Sequence, residues 1–397
     1  MSGGRKNRGG EVVELLEVTY RIQTPLFLGG VDPHQAEMRV PSIKGALRFW
    51  YRAVDPAYTR MEEDLFGSAQ AGKGQSRFLI RMETSSLKSD VIRKKDKQML
   101  EKLKKLSYLS FFLTPNSKEK KASLTPHSGK KKKKGSRTPN SEEEQGRGYL
   151  APKQDLKFSI VLRPPVKGEE NPPEAWHSVL ASVWLLGHIG GLGSRSRRGF
   201  GTVALKSWKL TGNDQADQWL RELPIAHGAE SMEKWYQRWL EGLSRIQSWF
   251  GDVSKADHTV IDRQASFFYG AQGYGCWDQA LFEAAKDLKY FRKEPSHSCD
   301  RIALGLPMIS QKRHEPEIEY KPIDFERVAS PVWIRVVQAG DKFYPVFAIL
   351  SAPYPSQVET KREGKRIGKF PAPDVSLILR QFADHLRQRQ YQGEGGQ

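Results

Sequence analysis

Gly190-Gly191-Leu192-Gly193-Ser194-Arg195-Ser196-Arg197-Arg198-Gly199-Phe200-Gly201 holds five glycines and three arginines in twelve residues, with no acid. Upstream, Trp176, Val179, Leu180 and Val183 recur at helical spacing. Downstream, a strand pattern runs roughly from Phe200 to Leu210. The loop therefore turns a helix into a strand. That order excludes the P-loop and the dinucleotide fingerprint, which both need strand then helix, and the P-loop's terminal Gly-Lys-Ser/Thr is absent too. Glycines permit positive φ and close backbone approach, and successive exposed N–H groups can form an anion-binding nest. Arginine and serine add directed donors for phosphate oxygens. The combination suits a sugar-phosphate backbone. The plainer alternative is a glycine-rich turn with solvated arginines.

Working outward, Leu16, Val18, Tyr20 and Ile22 alternate with polar residues and predict a strand. Pro41-Ser42 opens a helix of about twelve residues with Ser42 as N-cap, and Ile43, Leu47, Trp50 and Val54 face a core. A short strand follows near Phe78 to Met82, and another where Leu156, Phe158, Ile160 and Leu162 alternate. The order is β-α-β, insertion, β-α-β. The expectation is an α+β fold with a ferredoxin-like (RRM-like) βαββαβ domain, a pattern also used by RNA-recognition folds. Beyond it, helical stretches span Asn213 to Glu222 and Met232 to Phe250. A hairpin runs from Val332 through Ala339-Gly340-Asp341 to Ile349, and a last helix from Asp374 to Gln388. This half is expected to be a second, degenerate and helix-enriched ferredoxin-like copy in tandem, though no internal repeat proves it.

The chain has 397 residues and a formal charge of +18, unevenly placed. Between Val91 and Asn140, sixteen Lys or Arg face three acids, a net of +13, which leaves +5 for the rest. Partner arguments must therefore rest on local clusters. Residues 113–148 are low-complexity, with Lys130 to Lys134 and Glu142 to Glu144 as unbroken charge runs, and read as an insertion within the first domain. The expected organisation is a disordered tail at 1–10, an N-terminal domain at 11–210 carrying that insertion, and a C-terminal domain at 211–397. No apolar run reaches the roughly 18 residues of a membrane span, and Met1 to Gly10 lacks the apolar core of a secretory signal. Cys276 and Cys299 form no Cys-x-x-Cys pair and read as reduced thiols of a cytoplasmic protein. No metal or cofactor site is evident.

Lys44, Arg48 and Arg52 recur at i, i+4 and i+8 and form one basic stripe on the first helix. Arg48 is favoured as a contact because guanidinium pairs bidentately with phosphate. Lys44 lies near the helix N-terminus, itself attractive to phosphate, and Leu28-Gly29-Gly30 before it permits close approach or simply turns the chain. Water-exposed charged faces are common, so a solvated stripe is the competing reading.

The loop resembles the G-loop of the RAMP superfamily, the RNA-binding proteins of CRISPR systems. Pro41-Ser42-Ile43-Lys44-Gly45-Ala46-Leu47-Arg48-Phe49-Trp50-Tyr51-Arg52 resembles the family's Ser-x-Lys-Gly-x-Leu-Arg motif. Its Arg-Phe-Trp continuation, Gly305-Leu306-Pro307 and Arg327-Val328-Ala329-Ser330-Pro331 are similar to the first-numbered subunit of the Cmr (type III-B) effector complex. The resemblance covers about Leu15 to Ala352 without the insertion. It implies two ferredoxin-like domains and a non-catalytic role in antiviral defence, at the head of an RNA-guided, RNA-targeting ribonucleoprotein. There the chain would hold the 3′ region of the guide RNA, the guide–target duplex, or both. The implied partners are guide RNA, target RNA and other Cmr/RAMP subunits, with no membrane and no small-molecule ligand. The expected RNA-binding residues are Lys44, Arg48, Arg52, Gly191, Gly193, Ser194, Arg195, Ser196, Arg197 and Arg198, and no catalytic residue is expected.

Two other readings stay open. A RAMP endoribonuclease processing CRISPR RNA would need a general base or a metal, and His34, His188 and Asp32 are the candidates, each without an evident partner. A mainly protein-binding scaffold is the other; Trp235, Trp239 and Trp249 fit an apolar helical stripe and read as core. Phe267 to Trp277 reads as core packing, with base stacking as its alternative.

Overall fold

The computed structural model describes residues 13–394 apart from 31, 33, 69–73, 84–86, 93–95, 112, 114–146, 164–171, 254–256, 295–299 and 311–315. The expected tail at 1–10, Cys299 and nearly all of the low-complexity insertion lie outside the described residues. The described ends of that insertion are packed: Leu113 is buried, and Arg147 and Gly148 belong to the strand Arg147–Leu150, paired with Ser89–Ile92.

A first unit runs β1 (Leu15–Ile22), α1 (Val40–Val54), β2 (Phe78–Glu83), β3 (Asp155–Leu162), α2 (Pro173–His188), β4 (Val203–Thr211). Its antiparallel sheet has the order β2-β3-β1-β4. The alternation read in β1 sends Leu16, Val18, Tyr20 and Ile22 inward. The register sets Val18 beside Phe158 and Leu16 beside Leu210. Tyr20 donates its hydroxyl proton to the Val183 carbonyl at 2.7 Å, tying the central strand to α2. Helix α1 begins earlier than expected. Arg39, not Ser42, is its N-cap residue, and Pro41 sits in the first turn, where a missing N–H costs nothing.

After the helix Asp214–Glu222, α3 (Met232–Phe250) leads to a second unit. This runs β5 (Ser266–Gly270), α4 (Trp277–Lys293), β6 (Val332–Ala339), β7 (Lys342–Ile349), α5 (Val375–Gln388), β8 (Tyr391–Glu394). Its antiparallel sheet has the order β6-β7-β5-β8. In both units the second strand by sequence lies at one edge, followed by the third, the first and the fourth. The fold is thus mixed α+β with antiparallel sheets. A further four-stranded sheet, which the sequence did not suggest, joins Met308–Ser310, Ile318–Pro322, Gln357–Arg362 and Lys365–Pro371 around Val358.

The two main cores are interleaved. Phe27, Tyr149 and Phe200 pack in the core of the second unit, while Trp333 and Val337 of β6 pack in that of the first. Helices Asp214–Glu222 and α3, placed in the second domain by sequence, give their buried residues to the first core; Trp239 stacks on Trp184 at 5.1 Å. Phe267, Phe268, Tyr269 and Trp277 are buried, as core packing requires. No helix among the described residues is long and apolar enough to cross a membrane.

Candidate nucleic-acid interface

The glycine loop lies on the seam between the two units. Gly193 (φ 75°) and Gly201 (φ 63°) take left-handed conformations, and a Cβ would overlap the Phe27 carbonyl oxygen at the first and the Leu192 carbonyl oxygen at the second. Gly191 bridges Thr202, and Leu192 N–H donates to the Gly201 carbonyl at 2.9 Å, closing the loop on itself. Ser194 N–H donates to the Phe27 carbonyl at 2.8 Å, and Arg147 donates to the Ser194 hydroxyl at 3.2 Å. Ser196 is half-buried beside Gly191.

The three arginines take different positions. Arg195 has φ 63°, a strained setting for a side-chain residue, and its Nε donates to the Phe111 carbonyl at 3.1 Å. Arg197 lies over Trp333 at 4.6 Å and Phe49 at 5.4 Å and donates to the Ser330 carbonyl at 3.1 Å. Arg198 pairs by backbone with Ile334, placing its side chain toward Arg292 and Tyr108. Among the described residues, no carboxylate pairs with any of the three. Burial lowers the pKa of all three, to about 10 for Arg197 and Arg198, and neighbouring guanidiniums add to it: Arg327 and Arg147 at Arg195, Arg327 and Arg198 at Arg197, Arg292 and Arg195 at Arg198. A polyanion would relieve that repulsion.

All four sequence motifs meet here. Phe49 of α1 touches Arg197, and Gly190 closes against Trp50. Leu306 and Val328 exchange backbone hydrogen bonds of 2.9 and 3.0 Å, which sets the 327–331 segment against the loop. Arg327 and the Ser330 carbonyl thereby reach it.

The basic stripe of α1 behaves differently. Arg48 and Arg52 both donate to the Glu62 carboxylate at 2.5 Å, and Glu62 is buried. They stack over Phe66 at 5.9 Å and Tyr58 at 5.6 Å. Phe49 and Trp50 turn toward the loop and Trp333, so the stripe and the loop leave the helix on different sides. Lys44 lies over Phe78 at 5.6 Å; burial, then Arg48 and Arg163, lower its pKa.

Sequence reading missed Arg335. This buried side chain of β6 donates to the carbonyls of Gly190 at 2.5 Å, Gly187 at 2.9 Å and Leu186 at 3.4 Å, and to that of Val203. Leu186 and Gly187 lie in the last turn of α2 and Gly190 just past it, where orphan carbonyls and the helix dipole both favour a cation. Arg335 thus caps the helix that enters the glycine loop. Its only signal in the sequence is a lone charge inside the apolar run Val332-Trp333-Ile334-Arg335-Val336-Val337.

The nuclease candidates are scattered. His188 is buried; its Nδ1 lies 2.7 Å from the Trp184 carbonyl and its Nε2 accepts from Ala226 N–H at 3.1 Å. It is a packing residue out of RNA's reach. Asp32 is exposed and accepts from the His34 backbone N–H at 2.8 Å, a local turn. Burial pushes the pKa of His188 down to about 3. The unfolded chain then binds a proton below pH 6.5 that the folded chain refuses, so stability falls with acidification from there toward pH 3. Between pH 7 and 5 this residue should cost about 2 kcal/mol. Denaturant unfolding of the parent and His188→Gln at both pH values checks it; equal pH slopes would count against a neutral, buried imidazole.

Residues 19–204 match the RAMP superfamily. The chain is 26% identical over 196 residues to the CRISPR system Cmr subunit Cmr1-2 of Pyrococcus furiosus, covering 46% of this chain and 90% of that protein. It is 24% identical over 326 residues to Cmr1-1 of the same organism, covering 78% of each. The crystal structure of Cmr1 from Pyrococcus furiosus in its apo form superimposes with a TM-score of 0.58 at 20% identity, over 96% of this chain and 99% of that one. A chain in the cryo-EM structure of the type III-B Cmr-beta complex bound to cognate target RNA and AMPPnP gives 0.53 at 11% identity, over 95% and 100%. The family resemblance read from the four motifs is borne out.

Proposed function

We propose that this relative of the RAMP superfamily and of Cmr1 subunits is a non-catalytic RNA-binding subunit of a type III-B (Cmr) RNA-guided complex. It acts in the cytoplasm beside other Cmr subunits in antiviral defence. Its RNA is the 3′ region of the guide, the guide–target duplex, or both. We read the two units as ferredoxin-like domains in tandem, since both sheets share one strand order, with the helices at 214–250 packed on the first core. One observation carries the reading: Arg195, Arg197 and Arg198 gather at the seam, repelled by one another and by Arg147 and Arg327, and among the described residues no carboxylate pairs with any of the three loop arginines. Such a cluster is the electrostatic footprint of a phosphate backbone.

Gly191, Gly193, Ser194 and Ser196 shape the cradle, and the arginines supply the charge. Lys44 is a secondary contact, because a phosphate would relieve its repulsion by Arg48 and Arg163. Arg48 and Arg52 spend part of their charge on Glu62 and contribute less. Photocross-linking of single-stranded RNA to the purified chain, read by mass spectrometry, should place adducts on peptides spanning 191–198. Adducts confined to other surfaces would overturn the assignment.

A further inference from the structure

Across from the glycine loop stands a second wall that no family motif marks. The helix Lys97–Lys105 lies in the most basic part of the chain, yet Leu103, Leu106, Leu109 and Leu113 bury themselves in the core of the second unit. Lys102 bonds Asp278 of α4 at 2.9 Å and lies over Trp277 at 5.5 Å, which fixes the segment to that helix. The segment then brings Tyr108 and the backbone of Phe111 to the loop arginines.

Tyr108 lies under Arg292 of α4, whose guanidinium is 5.9 Å from its ring. Its hydroxyl is buried, with no hydrogen-bond partner among the described residues. An unmet buried donor is costly and points to a ligand that would accept from it. Arg198 lies within electrostatic reach of both Tyr108 and Arg292. Two guanidiniums and this unmet hydroxyl lie close enough together to supply donors to one phosphate. Phe111 is 59% exposed, and its carbonyl accepts from Arg195 Nε at 3.1 Å. A large exposed aromatic whose backbone is tied to an arginine of the loop suits the stacking of an unpaired base.

Resting on the RNA-binding reading above, we propose that Tyr108, Phe111 and Arg292 complete the loop into a site for single-stranded polynucleotide: one phosphodiester is held by Arg198, Arg292 and the Tyr108 hydroxyl, and the adjoining unpaired base stacks on Phe111. A base already paired in a duplex has no free face to offer Phe111, so the site selects single strands.

The test measures affinity of the full chain for a single-stranded RNA oligonucleotide and for the same sequence as a duplex, against salt. Phe111→Ala should weaken single-strand binding about tenfold. It should leave the salt slope and duplex binding unchanged, because stacking releases no counterion. Arg292→Gln should also weaken binding and flatten the slope by about 0.7, one phosphate contact on a single strand. Phe111→Trp should restore affinity and show fluorescence quenching on RNA addition, which keeps the test open if the alanine variant folds poorly. Unchanged single-strand affinity in Phe111→Ala, or equal losses for single strand and duplex, would overturn the proposal. The loop assignment would stand in that case, since it is read from the loop's own arginines and not from Phe111.

Discussion

Replacing Arg335 by Met should destabilise the protein by about 3 kcal/mol, the scale set by breaking a buried charge network from one side. Arg335 reaches four main-chain carbonyls, three in or just past the last turn of α2 and one on β4. Methionine fills the volume but donates nothing, so these oxygens lose their donor in a site closed to water, each at about 1–3 kcal/mol before relaxation. Removing the buried charge returns part of that sum, because burial already pushes the Arg335 pKa down to about 9. The thermal midpoint should fall by roughly 3–4 °C, given the large unfolding entropy of a chain this long. Arg335→Lys should lie between, since a point charge cannot span the carbonyls as the planar guanidinium does. Because the side chain crosses from the second unit to the first, the single unfolding transition should also broaden. A loss under about 1 kcal/mol would mean that water satisfies these carbonyls and that the clasp is incidental.

Much of the fold was legible because its strands alternate cleanly. Leu16 to Ile22 and Leu156 to Leu162 each bury one face only, so period two is written into the sequence. The hairpin around Gly340 was equally plain, with paired apolar strands and a glycine at φ 55° between them. The sheet around Val358 was hidden for the opposite reason. Lys365–Pro371 buries little, and its neighbours are short and charged, so no alternation marks it. Helix Lys97–Lys105 was masked by its lysines, although Leu103, Leu106 and Leu109 recur at helical spacing beneath them.

The site was legible in its composition but not in its geometry. The glycines and arginines of the loop announced an anion cradle, and the four motifs that suggested the family do meet there. What the sequence could not show is which arginines are held. Arg197 is wedged on Trp333 and Phe49, and Arg48 and Arg52 are tied to Glu62, an acid ten or more residues away in the chain. Helical spacing shows that a stripe is basic; only packing shows that a buried carboxylate neutralises it. Arg335 escaped notice because a lone charge in an apolar strand reads first as an interruption.

These placements sharpen the test of RNA binding. Truncating Arg197 would disturb the seam itself, so the informative variant is Arg195→Ala/Arg198→Ala, which leaves the aromatic slot filled. Each guanidinium that neutralises a phosphate on a single strand contributes about 0.7 to the slope of log affinity against log salt. Losing two should flatten the slope by about 1.4 and weaken binding at low salt by roughly 10- to 100-fold, at about 1 kcal/mol or more for each charge-assisted contact. The companion Arg195→Lys/Arg198→Lys keeps the charge and should keep the slope while losing bidentate geometry. The most direct measurement is therefore the salt dependence of single-stranded RNA affinity for the parent, the double-Ala and the double-Lys chains. A slope flattened by about 1.4 in the first variant and retained in the second is the predicted result. A double-Ala chain that folds like the parent and keeps both its affinity and its slope would contradict the placement of RNA on the glycine loop.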